Sequence, residues 1–214
     1  MALVMTSPLG PKPRALGVKK RTIPIAPPYE FPPGTYSWLV PYSGRWKFVA
    51  WSGGGSVVSD GDGGTSGCYS EKTKALAANT VVSIVVGTGG VLSTVAEATT
   101  ITFPDGSVVS CPAGGVGTSV PTPTGGDVNL PGSPAGDTSG TDGTAGQGTG
   151  GGAKGRGGGG SHGGGGGAPA NLPFRGGDGG GSVSPLRGRT PGGGGYGSAL
   201  TSVGGDGLVL AFMV

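Results

Sequence analysis

The sequence predicts a mostly β fold with extended glycine-rich structure: a small antiparallel β domain joined to a bundle of extended glycine chains, with no substantial α-helix. Three observations carry this. Between residues 34 and 111, short runs of β-branched and aromatic residues alternate with turn signals. No segment shows a sustained helical period. Between Gln147 and Gly195 roughly half the residues are glycine, in blocks such as Gly157–Gly160 and Gly163–Gly167. Such a tract loses much backbone entropy on ordering and buries almost no side chain in return, which is the physics of a linker. Yet the chain closes with an apolar run, Gly207–Val214, that has to be buried. Held between a folded part and a buried last strand, the glycines are expected to pack as polyproline-II-type helices, where a side chain would keep backbones apart. That helix has about three residues per turn and no internal hydrogen bonds, so neighbours must supply the partners and the tract folds as a bundle.

Each element follows in chain order. Residues 1–33 read as an extended, proline-rich basic arm, because prolines at 8, 11, 13, 24, 27, 28, 32 and 33 oppose helix and central strand. Residues 34–111 read as the small β domain. Thr35–Val40 is rich in strand formers, and Pro41–Gly44 is a turn. Arg45–Trp51 alternates, with Trp46, Phe48 and Ala50 on one face, until Gly53-Gly54-Gly55 breaks it. Cys68–Ala75 reads as a half-exposed strand. Thr80–Val86 is apolar on both faces and is expected to be covered on both. Thr99–Phe103 and Ser107–Cys111 flank Pro104-Asp105-Gly106, a hairpin signal. Residues 112–206 form the glycine-rich region, expected to be the bundle, with insertions such as Asn171–Arg175 and Tyr196–Val203 as exposed loops between blocks. Residues 207–214 are the closing strand, packed on the β domain. Its two apolar faces, Leu208, Leu210, Phe212, Val214 and Val209, Ala211, Met213, are both expected to be hidden from solvent.

Composition limits the function. With 53 glycines among 214 residues, only 12% charged and 6% aromatic, the chain has material for one small compact core. Glycine does not recur at every third position, which excludes collagen. No apolar stretch is long enough to span a membrane, and prolines after Met1–Ser7 argue against a signal peptide. Lys12, Arg14, Lys19, Lys20 and Arg21 concentrate positive charge in the arm against Glu30 alone. This cluster fits a nucleic-acid arm or a docking arm for an acidic protein surface. Proline stiffening and the absence of interleaved aromatics favour docking, so no nucleic-acid partner is expected. Cys68 and Cys111 read as two buried small apolar side chains, with a disulfide as the alternative.

Motifs for catalysis fail on context. Gly159-Gly160-Ser161-His162-Gly163 satisfies the serine-hydrolase elbow pattern, but glycine runs replace the strand and helix it needs. His162, the only histidine, is adjacent to Ser161 and is not a separately positioned base. Gly150–Gly155 lacks the residues that flank the lysine of a phosphate loop. Asp60 and Asp62 read as a solvated turn before a calcium loop. The chain is therefore read as no enzyme, with no cofactor and no metal. Phe174, Arg175, Arg187, Arg189 and Tyr196, in the insertions, combine fork-shaped donors with flat apolar faces, which suits sugars, phosphates or protein loops. They equally fit plugs and solubilising charges of the bundle.

The stretch from Pro33 onward resembles the glycine-rich receptor-binding domains at the tips of bacteriophage tail fibres, and is similar to the adhesins that cap T-even-type long fibres. The residues that carry this are Trp46–Trp51 followed by Gly53-Gly54-Gly55, then Tyr69-Ser70-Glu71-Lys72, Val82–Gly90, Pro191–Gly197 and Gly204–Val209. The resemblance implies a β framework joined to a polyglycine-II bundle whose variable loops meet a bacterial surface receptor, an outer-membrane protein or a polysaccharide. It implies a virion protein, assembled in the host cytoplasm, whose arm (Lys12, Arg14, Lys19, Lys20, Arg21) docks on another virion protein of the tail, fibre or head–tail junction. Candidate receptor contacts are then Phe174, Arg175, Arg187, Arg189 and Tyr196. A homo-oligomer such as a trimer fits this reading, and membrane insertion does not. The competing class is structural: a fibre, collar or capsid decoration protein whose glycine bundle is a stiff spacer.

Overall fold

A computed structural model describes residues 28–56, 64–91, 94–115, 120–132, 192 and 203–214. Two antiparallel sheets, without helix among these residues, form a sandwich. The strands are β1 (Tyr29–Phe31), β2 (Gly34–Leu39), β3 (Gly44–Trp51), β4 (Tyr69–Leu76), β5 (Val81–Val86), β6 (Thr99–Thr102), β7 (Val108–Cys111), β8 (Val128–Leu130) and β9 (Leu208–Met213). One sheet has the order β1-β9-β3-β4-β8 and the other β2-β5-β6-β7. The turn at Pro41–Ser43 therefore carries the chain from one sheet to the other.

Alternation along the strands places the core between the sheets. Trp46, Phe48 and Ala50 of β3 and Val209 and Ala211 of β9 face Val82, Ile84 and Val86 of β5, Ile101 of β6 and Val109 of β7. At the β1/β2 side an aromatic stack closes the sandwich. Trp38 meets Trp46 edge-on with ring centroids 5.0 Å apart, and Tyr29 and Phe31 lie 5.4 and 6.0 Å from Trp38. On the other side, Thr124 exchanges both backbone hydrogen bonds with Ser110 of β7 before its chain continues into β8, paired with β4, so this segment stitches the sheets together. The outer face of the five-stranded sheet carries a second cluster, Val49, Trp51, Tyr69 and Leu210, all buried.

Several expectations change. Tyr29–Phe31, placed in an arm without regular structure, is an edge strand: no proline falls inside these three residues, and Phe31 is buried against Trp38. β8 lies inside the region read as glycine bundle. β5 is covered on one face only; Val82, Ile84 and Val86 are buried while Val81, Ser83 and Val85 are exposed. The four strands of its sheet contain no charged residue, so a neutral outward face mimics a doubly buried strand in sequence. β9 lies between β1 and β3, in register Phe31↔Val209 and Phe48↔Ala211, but Val214 beyond it is exposed. Cys68 falls just before β4, not within it, and Cys111 ends β7.

The sandwich has two unlike poles. One is closed by tight turns at Pro41–Ser43, Ala77–Thr80 and Pro104–Gly106. Asn79 there takes a left-handed φ of 64°, a conformation asparagine tolerates. At the other pole, β3, β5 and β7 run out into residues 52–56, 87–90 and 112–115, and β4, β6 and β9 are entered from residues 64–67, 94–98 and 203–207.

Candidate functional site

These six segments do not fray; they pack backbone to backbone. The segment 52–56 is at their centre. In a β-strand, successive amides point alternately to two sides. Here three successive amides point to three different chains: Gly53 N–H donates to Glu97 O (3.3 Å), Gly54 N–H to Gly205 O (2.8 Å) and Gly55 N–H to Thr65 O (2.8 Å). The carbonyls of Gly53 and Gly54 accept from two more chains, at Gly114 N–H (2.8 Å) and Gly90 N–H (2.9 Å). Donors that rotate through three directions are what a chain with about three residues per turn presents. The break that Gly53-Gly54-Gly55 makes in the strand pattern is thus the axis of a glycine bundle.

Outer chains bond to one another around this axis. Gly204 N–H donates to Gly90 O (2.7 Å), Gly207 N–H to Gly87 O (2.9 Å) and Thr65 N–H to Gly115 O (2.9 Å). Gly67 N–H donates to Gly192 O and Gly192 N–H to Asp206 O, at 2.8 and 2.7 Å. Two carboxylates cap backbone amides here: Asp206 Oδ1 accepts from Gly89 N–H at 2.9 Å and Glu97 Oε2 from Thr88 N–H at 3.2 Å. Contact is close enough that side chains are excluded. A Cβ on Gly53, Gly55, Gly64, Gly89 or Gly204 would fall inside the van der Waals envelope of a neighbouring carbonyl. Glycine packing of this kind therefore occurs inside the region read as β domain; the tract between Gln147 and Gly195, expected to form the bundle, lies outside the described residues apart from Gly192.

The topology sets what this pole can do. The chain leaves the described residues here after Ser56, Val91, Gly115, Gly132 and Gly192, and returns to this pole at Gly64, Thr94, Val120, Gly192 and Val203. Gly132 is held by its N–H to Pro121 O (3.0 Å) and lies against Ser66 and Gly67. β1 runs antiparallel to β9, with Tyr29 opposite Ala211 and Phe31 opposite Val209, so the chain enters it from the turn pole. Arm and connections thus attach at opposite ends of the sandwich.

Phe174, Arg175, Arg187, Arg189 and Tyr196 lie outside the described residues, as do Lys12, Arg14, Lys19, Lys20 and Arg21. So do Ser161, His162, Asp60 and Asp62. The structure neither gathers nor separates these candidates.

Among the described residues, no group of three or more histidine, cysteine or acidic side chains is spaced to hold a metal. One buried polar group stands out: Tyr69 and Glu71 on β4 with Lys47 on β3. Tyr69 donates its hydroxyl to Glu71 Oε1, and Lys47 Nζ pairs with Glu71 Oε2 at 2.6 Å. Burial first, then the Glu71 carboxylate, push the Tyr69 phenol well above its ordinary value. A phenol held neutral this firmly, with its carboxylate partner already paired, is structural glue for the outer cluster and not a nucleophile. At the turn pole a hollow of about 160 Å³ lies between Lys74, Leu76, Thr80, Pro104 and Asp105. It is well below the roughly 300–1,000 Å³ of ordinary ligand pockets. Lys74 caps it, paired with Asp105 and 5.4 Å from the Phe103 ring. No protein-family model, no curated protein and no solved structure matches this chain.

Proposed function

We propose that this chain is a non-enzymatic bacteriophage virion protein, a fibre adhesin that binds a host bacterial surface receptor through the connections emerging from its glycine pole. The arm, with Lys12, Arg14, Lys19, Lys20 and Arg21, docks it to another virion protein at the opposite end. The single observation that supports this is the polarity of the fold: the arm joins at the turn pole, and the five excursions leave and return at the glycine pole. A receptor binder needs its variable surface held stiffly away from its anchor. A web of backbone hydrogen bonds supplies that stiffness without side chains. Phe174, Arg175, Arg187, Arg189 and Tyr196 fall in the excursion between Gly132 and Gly192 and the one between Gly192 and Val203, and are the proposed receptor contacts.

The test is competition. Purified protein lacking residues 1–27 is incubated with host cells before phage is added. Saturable binding to cells and slower phage adsorption support the adhesin. Particles assembled with the arm-deleted chain should lack it. Phage that adsorb at the normal rate without this protein would assign it instead to a collar, spacer or decoration role.

A further inference from the structure

Where the glycine pole joins the sandwich, the two sheets touch directly. Packed sheets ordinarily stand about 10 Å apart. Here Ser52 Oγ, on the chain leaving β3, donates to the carbonyl of Pro112, on the chain leaving β7, at 2.6 Å. Cys68 prolongs the β3/β4 ladder: its N–H donates to Ser52 Oγ (2.9 Å), and Ser52 N–H donates to Cys68 O (3.2 Å). Its Sγ reaches the same Pro112 carbonyl at 3.3 Å. Cys111, one residue before Pro112, sets its Sγ 3.9 Å from Ala50 O of β3. The neighbouring Cys68 side chain and burial push the Cys111 thiol well above its ordinary value. Both are free and fully buried, and each belongs to a different sheet.

We infer that Cys68 and Cys111 are a dithiol that oxidation closes into a disulfide between the two sheets, a bolt at the root of the glycine pole. Two buried cysteines acting only as small apolar side chains need not meet. These converge on one junction: the Cys68 sulfur sits on the carbonyl of the residue that follows Cys111, and the Cys111 sulfur reaches back to β3, where the backbones already hydrogen-bond.

The co-reactant is a low-molecular-weight disulfide, RSSR. One cysteine loses its proton and its thiolate attacks RSSR, breaking the S–S bond and expelling RS⁻, which takes up a proton. The second thiol then attacks the mixed disulfide, forming the Cys68–Cys111 bond and expelling the second RS⁻. Two protein thiols and RSSR become one protein disulfide and two RSH, with two electrons passed to the reagent. Burial keeps both sulfurs out of reach of reagent, so the reaction runs through opening of this pole and is slow in the closed protein. Once formed, the bond closes a loop on the order of 40 residues and restricts the unfolded chain.

The experiment uses the full chain, oxidised glutathione at mildly alkaline pH, and urea just below the unfolding transition. Free thiols, intact mass and a non-reducing peptide map are followed in time. The expected result is paired loss of both thiols, a chain lighter by two hydrogens, and one cross-linked peptide joining Cys68 to Cys111. The thermal midpoint should rise by about 5–15 °C and fall back on reduction with dithiothreitol. Stable glutathione adducts on either cysteine, disulfide-linked dimers, or two thiols persisting beside a reagent that does oxidise the urea-unfolded chain would overturn the inference. So would a disulfide that lowers the midpoint, since the two sulfurs would then be joined only by distorting the junction.

Discussion

Two glycines of the same bundle make opposite predictions. A Cβ on Gly53 would collide with the Thr88 carbonyl and the Gly89 amide, both backbone atoms that cannot rotate away. Gly53→Ala should then force apart the axis segment and break hydrogen bonds to Glu97 and Gly114. The expected loss is at least about 3 kcal/mol, in the range reserved for severe backbone clashes. On Gly115 the same Cβ meets nothing within 4 Å. Gly115→Ala should be neutral or stabilise by up to about 1 kcal/mol through the unfolded chain. Urea denaturation of the two variants separates a packed bundle, which discriminates between them, from a loose glycine tract, which does not. A second residue-level prediction concerns Tyr69. Its folded-state pKa is raised above the ordinary value of 10.0 by burial and by Glu71. A group whose pKa is raised on folding contributes stability that is complete below its unfolded pKa and is lost as pH climbs above it. Stability should therefore fall above about pH 10, and the tyrosinate absorbance of Tyr69 should appear only together with unfolding. Tyr69→Phe should flatten that alkaline limb.

At the scale of elements, β9 carries more than its six residues. It is an interior strand, so removing it unpairs β1 and β3 together. Burying Val209 and Leu210 alone is worth roughly 3–6 kcal/mol, comparable with the roughly 5–15 kcal/mol net stability of a domain. The segment leading into it also supplies Gly204, Gly205 and Gly207 to the bundle. Truncation after Gly207 should yield a chain without protease resistance and without host-cell binding. β5 gives the complementary case. Ile84→Ala, on its buried face, should cost about 2–5 kcal/mol. Val85→Thr, on its exposed face, should change stability by no more than about 0.5 kcal/mol. Equal costs at the two positions would mean that the outer face is covered. The strands were legible where alternation or β-branched runs extend over several residues, as in β3, β5 and the β6/β7 hairpin. β1 and β8 were not, because three residues carry no period and prolines or glycines flank both. The glycine packing around Gly53-Gly54-Gly55 was not legible for a related reason. Glycine has no side chain to mark a face, and its partners are remote in sequence: Gly54 bonds to Gly205 and Gly114 to Gly53. Glycine density marks where such packing is tolerated, while the strand ends that converge decide where it occurs.

On the proposed reading the whole molecule is a body with one end for attachment and another for presentation, and the boundary of the arm decides whether those ends are separable. The proline pattern runs unbroken to Pro33, which puts Tyr29 and Phe31 outside the body. In the fold they belong to it. Phe31 is buried, Tyr29 stacks against both Trp38 and Trp46, and the Tyr36 hydroxyl donates to Pro32 O at 2.9 Å. Deleting residues 1–27 removes none of these contacts, so that protein should melt like the full chain and keep its near-ultraviolet circular dichroism. Deleting residues 1–33 strips the outer strand from β9 and opens the aromatic stack around Trp38. Losing Phe31 and the partly buried Tyr29 should cost roughly 3–5 kcal/mol, with weaker aromatic dichroism and increased tryptophan quenching. If the arm only docks, both deletions abolish incorporation into particles, and the shorter deletion still binds cells. A deletion of 1–27 that melted like the deletion of 1–33 would mean that the basic segment is part of the fold. Attachment and presentation would then not be independent ends of this chain.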